Sequence, residues 1–210
     1  MRTIVIASRK GGAGKTTIAG HLSVALGEGV AIIDTDPQGS LSDWFAARQQ
    51  KSPELFAPQL QRLGAEVEGI SGMGFRFCVI DTPPAIGNDI QRAISVADLV
   101  LIPVRPSPHD LRAVGATVDL ADKTGRRVVF VVNGATPRAR LTASAAVELS
   151  QHGTVAPVTL HSRLDFQVSM IDGRTAQEFD PSGKSAAEVE QLRNYVLAQL
   201  GRHAKAEMRK

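Results

Sequence analysis

The sequence predicts an α/β fold, a doubly wound, mostly parallel sheet flanked by helices, laid out as one domain over residues 1–210. Three observations predict it. Short β-branched runs alternate with longer segments of helical spacing, the order that builds a parallel sheet with helices on both faces. Glycine and proline fall at the joins: Gly11-Gly12, Pro37, Pro83-Pro84, Pro103 through Pro108, Gly134 and Asp180-Pro181-Ser182-Gly183. A chain of 210 residues, 43% hydrophobic and 21% charged, suits one substantial core.

Taken in order, the strands are expected at 2–8, 29–34, 75–81, 98–103, 127–133 and 154–159. Each centres on a run such as Thr3-Ile4-Val5-Ile6-Ala7, Phe77-Cys78-Val79-Ile80 or Val128-Val129-Phe130-Val131-Val132. Such β-branched, largely apolar runs suit strands of a sheet covered by helices on both faces. Helices are expected between them at 15–27, 40–50, 58–70, 86–96, 109–124 and 140–151, and last at 184–206. The first carries Ile18, Leu22, Ala25 and Leu26 on one side; the last repeats Ala187, Val189, Leu192, Tyr195, Val196 and Leu200 near every third or fourth residue. Residues 52–74 are the least periodic stretch.

Composition removes several function classes. Cys78 is the one cysteine and sits inside an apolar run, so it reads as a small buried thiol and builds neither a disulfide framework nor a cysteine metal site. The start of the chain lacks a cleavable signal pattern, and no apolar stretch approaches the roughly 20 residues of a spanning helix, so a cytoplasmic location is expected. The formal charge of +3 is local: Arg202, Lys205, Arg209 and Lys210 against Glu207 account for it, and residues 1–200 balance. This basic end, 201–210, is either a solvated helix terminus or a contact for a polyanion.

The chemistry gathers after the first strand. Lys10-Gly11-Gly12-Ala13-Gly14-Lys15-Thr16-Thr17 runs straight into an amphipathic helix. Glycines let successive N–H groups turn inward and the helix start adds positive potential, which together cradle phosphate oxygens. Lys15 is placed to reach β- and γ-phosphates and the Thr16 hydroxyl to hold Mg²⁺. Arg9 stands where the standard pattern has its first glycine, and a second lysine, Lys10, opens the loop. The second strand ends in Asp34-Thr35-Asp36-Pro37-Gln38-Gly39-Ser40, which alone would be a turn and helix cap but follows a phosphate loop here. The third ends in Asp81-Thr82-Pro83-Pro84, an acid presented at the carboxyl edge of the sheet.

With this deviant Walker A loop the chain resembles the ParA/MinD family of P-loop ATPases, closest to the small ParA subgroup without an N-terminal DNA-binding domain. The resemblance implies ATP and Mg²⁺ as cofactors and Lys10 acting in trans on the partner's nucleotide across an ATP-bridged homodimer. It implies Asp36 orienting the attacking water, Asp34 supporting the metal through its hydration shell, and Asp81 binding it through water. Pro103 through Pro108 with Asp110-Leu111 resembles the subgroup's proline-rich loop. Asn133 matches the position that hydrogen-bonds adenine, the alternative being ordinary strand-end chemistry, and 163–172, with Phe166, resembles the segment beside the base. The function so implied is partition or positioning: an ATP dimer held non-specifically on DNA, associated with the nucleoid, and released when an adaptor protein stimulates weak intrinsic hydrolysis. Arg138, Arg140, Arg163, Arg193, Arg202 and Lys205 are the candidate DNA contacts, or else solvated surface. Because the loop strand starts at residue 2, sequence-specific repression is not expected.

Two other readings stay open. The membrane-patterning branch represented by MinD uses an amphipathic C-terminal helix, whereas the tail here is basic and poor in large apolar residues, which disfavours a membrane. A metabolic enzyme or metallochaperone on the same scaffold would need partner cysteines or a small-substrate pocket that the sequence does not reveal.

Overall fold

The computed structural model describes residues 1–84 and 87–207, apart from the side chains of 89, 116, 120, 121 and 202–207. Within them the apolar runs become strands β1 (Arg2–Ile6), β2 (Val30–Asp34), β3 (Glu54–Phe56), β4 (Phe77–Asp81), β5 (Leu99–Val104), β6 (Val128–Ala135) and β7 (Thr154–His161). The intervening segments form helices α1 (Lys15–Ala25), α2 (Ser40–Ala47), α3 (Leu63–Gly72), α4 (Asn88–Ser95), α5 (Pro108–Arg112), α6 (Gly115–Thr124), α7 (Arg140–Ser150), α8 (Leu164–Val168), α9 (Ala176–Phe179) and α10 (Lys184–Glu207). The sheet order is β3-β2-β4-β1-β5-β6-β7 and every pairing is parallel.

Strand alternation divides the core in two. Ile4 and Ile6 of β1 point into a layer with Leu22 of α1, Trp44 of α2 and Val189, Leu192 and Val196 of α10. Val5 and Ala7 point the other way, among Val67 of α3, Ile94 of α4 and Leu149 of α7. Side chains of one strand thus alternate between two helical layers, as a period of two dictates. All ten residues of β4 and β1, apart from the half-buried Arg2, are buried, so these strands form the unexposed centre.

Several boundaries differ from expectation for local reasons. The helix expected at 58–70 begins as a 3-10 turn at Leu60–Arg62 and becomes α3 only from Leu63. Before it, Glu54–Phe56 adds an unforeseen edge strand beside β2, too short for a periodic signal. The helix at 109–124 divides at Ala113-Val114, with Gly115 opening α6. The Ser107 hydroxyl starts α5 by accepting the Asp110 amide at 3.2 Å. α2 stops at Ala47 because Arg48 turns extended, its guanidinium paired with Glu178 at 2.7 Å and 2.9 Å. On α10, Ala186 rather than Ala187 is buried, since the stripe steps through 186, 189, 192, 196 and 200. The expected helix start at residue 86 lies outside the described residues.

Parallel strands send their carboxyl ends to one edge. The β1–α1 loop, the β2–α2 loop, Asp81, the β5–α5 loop and Asn133 therefore meet there, where the connections from β1 and β4 leave in opposite directions.

Candidate functional site

The loop after β1 takes its shape from two left-handed glycines, Gly12 (φ 73°) and Gly14 (φ 94°). At Gly14 space forbids a side chain as well, since a Cβ would collide with Nδ2 of Asn133. That Nδ2 donates to the Ala13 carbonyl at 2.6 Å, clamping the loop to the end of β6. Among the described residues no backbone amide from Gly11 through Thr17 donates to another protein group; the first helical bond is from Ile18 N to Gly14 O at 3.0 Å. Seven consecutive donors at a helix N-terminus are an anion site.

Lys15 opens α1 and is 7% exposed, without an ion pair among the described residues. Burial pushes its ammonium below the ordinary lysine range, and the nearby charges of Asp81 and Asp36 pull it back. A buried cation only partly compensated in this way is poised for an anionic ligand.

Opposite it, Asp81 is 1% exposed. Its Oδ2 accepts from Thr16 Oγ1 at 2.5 Å, while Oδ1 is buried with no hydrogen-bond partner. Burial raises this carboxyl to about 7, against the hydrogen bond from Thr16. An orphaned carboxylate oxygen beside a hydroxyl fits a hard cation such as Mg²⁺. No cluster of three or more His, Cys, Asp or Glu groups suited to a metal occurs among the described residues.

The two aspartates after β2 behave differently. Asp34 has both oxygens engaged: Oδ1 accepts the Asp36 amide at 3.1 Å, and Oδ2 accepts the amide and hydroxyl of Ser42 at 2.9 Å and 3.0 Å. It therefore shapes the loop and anchors the first turn of α2, where a negative charge is favourable. Asp36 is half-buried, and among the described residues its carboxylate accepts only the Gln38 amide, at 3.0 Å on Oδ1. Thr35 fixes this segment to β4, its amide and hydroxyl both donating to the Asp81 carbonyl at 3.0 Å and 2.7 Å.

Lys10 is half exposed at the front of the loop, its Nζ 3.7 Å from Oδ1 of the buried Asp110 on α5. From the sequence Asp110 belongs to the proline-rich loop alone; the Ser107-x-x-Asp110 spacing signals the helix start but not this contact. Phe166 is 8% exposed and packs its ring edge-on to His21, 5.1 Å between centroids. His21 lies beneath the loop on α1, its Nδ1 2.8 Å from the Thr17 carbonyl, and burial lowers it to about 4.

The basic candidates separate. Arg163 is held by Glu188 through Nε at 3.0 Å and Nη2 at 2.6 Å, with His161 on the same carboxylate at 2.8 Å. Arg193 pairs with Glu190 at 2.7 Å. The guanidinium groups of Arg138 and Arg140 are exposed and unengaged among the described residues, and Arg138 holds a left-handed backbone, φ 62°. The side chains of Arg202 and Lys205 lie outside the described residues. No described helix is long and apolar enough to cross a membrane.

Residues 4–172 match the CobQ/CobB/MinD/ParA nucleotide binding domain. The chain is 27% identical over 209 residues to the maintenance of carboxysome distribution protein A of Halothiobacillus neapolitanus, covering 93% of this chain and 96% of that one. Its fold superposes on MinD in the MinC:MinD cell division complex of Aquifex aeolicus with a TM-score of 0.78 at 18% identity, over 94% and 96% of the two chains. An ATP complex of Cyanothece McdA gives 0.75 at 20% identity, over 96% of each. A phosphate loop of this geometry, in a match spanning most of the sequence, places the chain in the CobQ/CobB/MinD/ParA nucleotide-binding family.

Proposed function

We propose that the chain is a Mg²⁺-dependent positioning ATPase, a nucleotide switch that dimerises on ATP, rests non-specifically on DNA as a dimer, and is released when an adaptor protein stimulates hydrolysis. The observation that carries the reading is the row of amides from Gly11 through Thr17 that donate to no protein group among the described residues, with the buried Lys15, free of ion pairs among those residues, within it. In this reading those amides and Lys15 bind and orient the triphosphate. Thr16 and Asp81 hold Mg²⁺, which when bound neutralises charge on the β- and γ-oxygens. Asp36, whose Oδ2 accepts from no protein donor among the described residues, orients the attacking water, and Asp34 keeps that loop in register. Lys10 leaves Asp110 and reaches the nucleotide of the second subunit, where it offsets charge developing at the β,γ-bridge. Asn133 holds the loop through Nδ2 and offers Oδ1 to the adenine amino group. Phe166 keeps its place behind α1, supporting the loop from the core.

Arg138 and Arg140 are the proposed phosphate contacts for DNA, because their guanidinium groups are exposed and unengaged among the described residues, Arg140 opening α7 and Arg138 just before it. The relatives' names differ, carboxysome distribution in one and a cell division complex in another, so no cargo is proposed. Light scattering after size exclusion, with ATP or ADP, tests the switch. ATP alone should give a dimer that is retained on DNA-cellulose at low salt and leaves it as salt rises. Retention on anionic liposomes in place of DNA would reassign the chain to the membrane-patterning type.

A further inference from the structure

Arg105 follows β5 directly, where Val104 pairs with Val132 of β6, so Asn133 and Gly134 are its neighbours across the sheet edge. A 2.7 Å bond from the Ser107 amide to the Arg105 carbonyl closes a tight turn around it. The stem crosses Gly134, a left-handed glycine (φ 63°) at which a Cβ would meet Arg105 Cγ and Nε at 3.6 Å. The guanidinium then lies over Gly12 of the phosphate loop, with Nη2 3.7 Å and Nη1 3.8 Å from the point a Cβ would occupy. Arg105 is exposed, yet its guanidinium makes no hydrogen bond or ion pair among the described residues. A solvated arginine has no reason to hold one place; two glycine surfaces give this one a seat. The same sheet edge therefore holds consecutive loop residues by two means, the Asn133 amide on Ala13 and a cation on Gly12.

We propose that Arg105 is a positioning residue of the nucleotide site, which buttresses the phosphate loop from its flank and sets a permanent positive charge beside a bound nucleoside polyphosphate. The inference rests on the nucleotide reading above. Its signature differs from that of Lys10. A charge on the flank of the loop within one subunit acts on a diphosphate as well as a triphosphate and needs no dimer, and arginine keeps that charge at any working pH.

The test is a fluorescence titration of the full chain with mant-ADP and Mg²⁺, comparing Arg105→Met, which keeps the stem without the charge, and Arg105→Lys, which keeps the charge without the planar fork. Arg105→Met should bind about tenfold more weakly at low ionic strength. The deficit should narrow at high salt, as screening requires, and Arg105→Lys should recover most of the affinity. Both should melt at the wild-type temperature without nucleotide, because the side chain is exposed. Equal binding by the wild type and Arg105→Met would overturn the inference, and so would equal, salt-independent weakening in both variants. Lost DNA retention with unchanged mant-ADP affinity would also overturn it and assign Arg105 to the DNA surface. Absence of mant-ADP binding by the unsubstituted chain would instead remove the nucleotide reading itself.

Discussion

Replacing Gly14 by alanine tests how the phosphate loop is held, and its cost can be worked from two contributions. At φ 94° a residue with a Cβ carries a left-handed strain of about 1–2 kcal/mol. The new methyl also occupies the space of Asn133 Nδ2, so the amide must swing off the Ala13 carbonyl and give up its 2.6 Å bond. That loss is worth roughly 1 kcal/mol. Gly14→Ala should therefore destabilise the nucleotide-free protein by about 2–3 kcal/mol, and Asn133→Ala by about 1 kcal/mol. In the double variant the methyl meets no amide and the hydrogen bond is already absent, so only strain is added. The double-mutant cycle should show a coupling of about 1 kcal/mol in urea unfolding, the pair costing less than its parts. Strict additivity would refute the claim that Gly14 and Asn133 share one steric and hydrogen-bonded contact.

Three further outcomes follow from the same geometry. Asp110→Asn removes the charge holding Lys10 at 3.7 Å, and because Lys10 is half exposed the gain is modest. The ATP concentration for half-maximal dimer in light scattering should fall about threefold, and a rise would contradict the restraint. His21 has a folded value near 4 against 6.5 unfolded, so its stabilisation is complete above about 6.5 and is lost as pH falls and the unfolded chain takes up the proton. Between pH 7.5 and 5 this group should cost about 2 kcal/mol in urea stability. His21→Phe should lose that much less over the same interval, and an unchanged pH slope would remove His21 as the cause. Arg48→Ala strips the bidentate partner from the partly buried Glu178 and the donor from the Gly173 carbonyl, and should cost about 3 kcal/mol in the same assay. A loss below 1 kcal/mol would mean that solvent replaces the pair.

The sheet was legible because its inner strands centre on apolar runs such as Ile4-Val5-Ile6 and Cys78-Val79-Ile80, and α1 and α10 because apolar residues recur along them near every third or fourth position. What escaped was local or long-range. Glu54–Phe56 is three residues long and draws its identity from pairing with Ala31–Ile33, which no local pattern encodes. Arg48 ends α2 because of Glu178, 130 residues away. In the site, the glycines and Lys15 announced themselves through spacing, as did the two acidic strand ends. The partners that hold them did not: Asp110 reaches Lys10 only because α5 folds over the loop, and Arg105 finds Gly12 only because β5 lies beside β1. Arg163, read as a candidate for DNA, meets Glu188 through the packing of α10 beside β7, a relation that charge counting along the chain does not contain.

Everything proposed for this chain depends on polyphosphate held by the amides between Gly11 and Thr17 together with Lys15. Isothermal titration calorimetry with Mg·ATPγS, on the unsubstituted chain and on Lys15→Ala, measures this directly. One nucleotide should bind per chain in the unsubstituted protein and none in Lys15→Ala at the same concentrations. Equal uptake by both proteins, or none by either while both are folded, would contradict it.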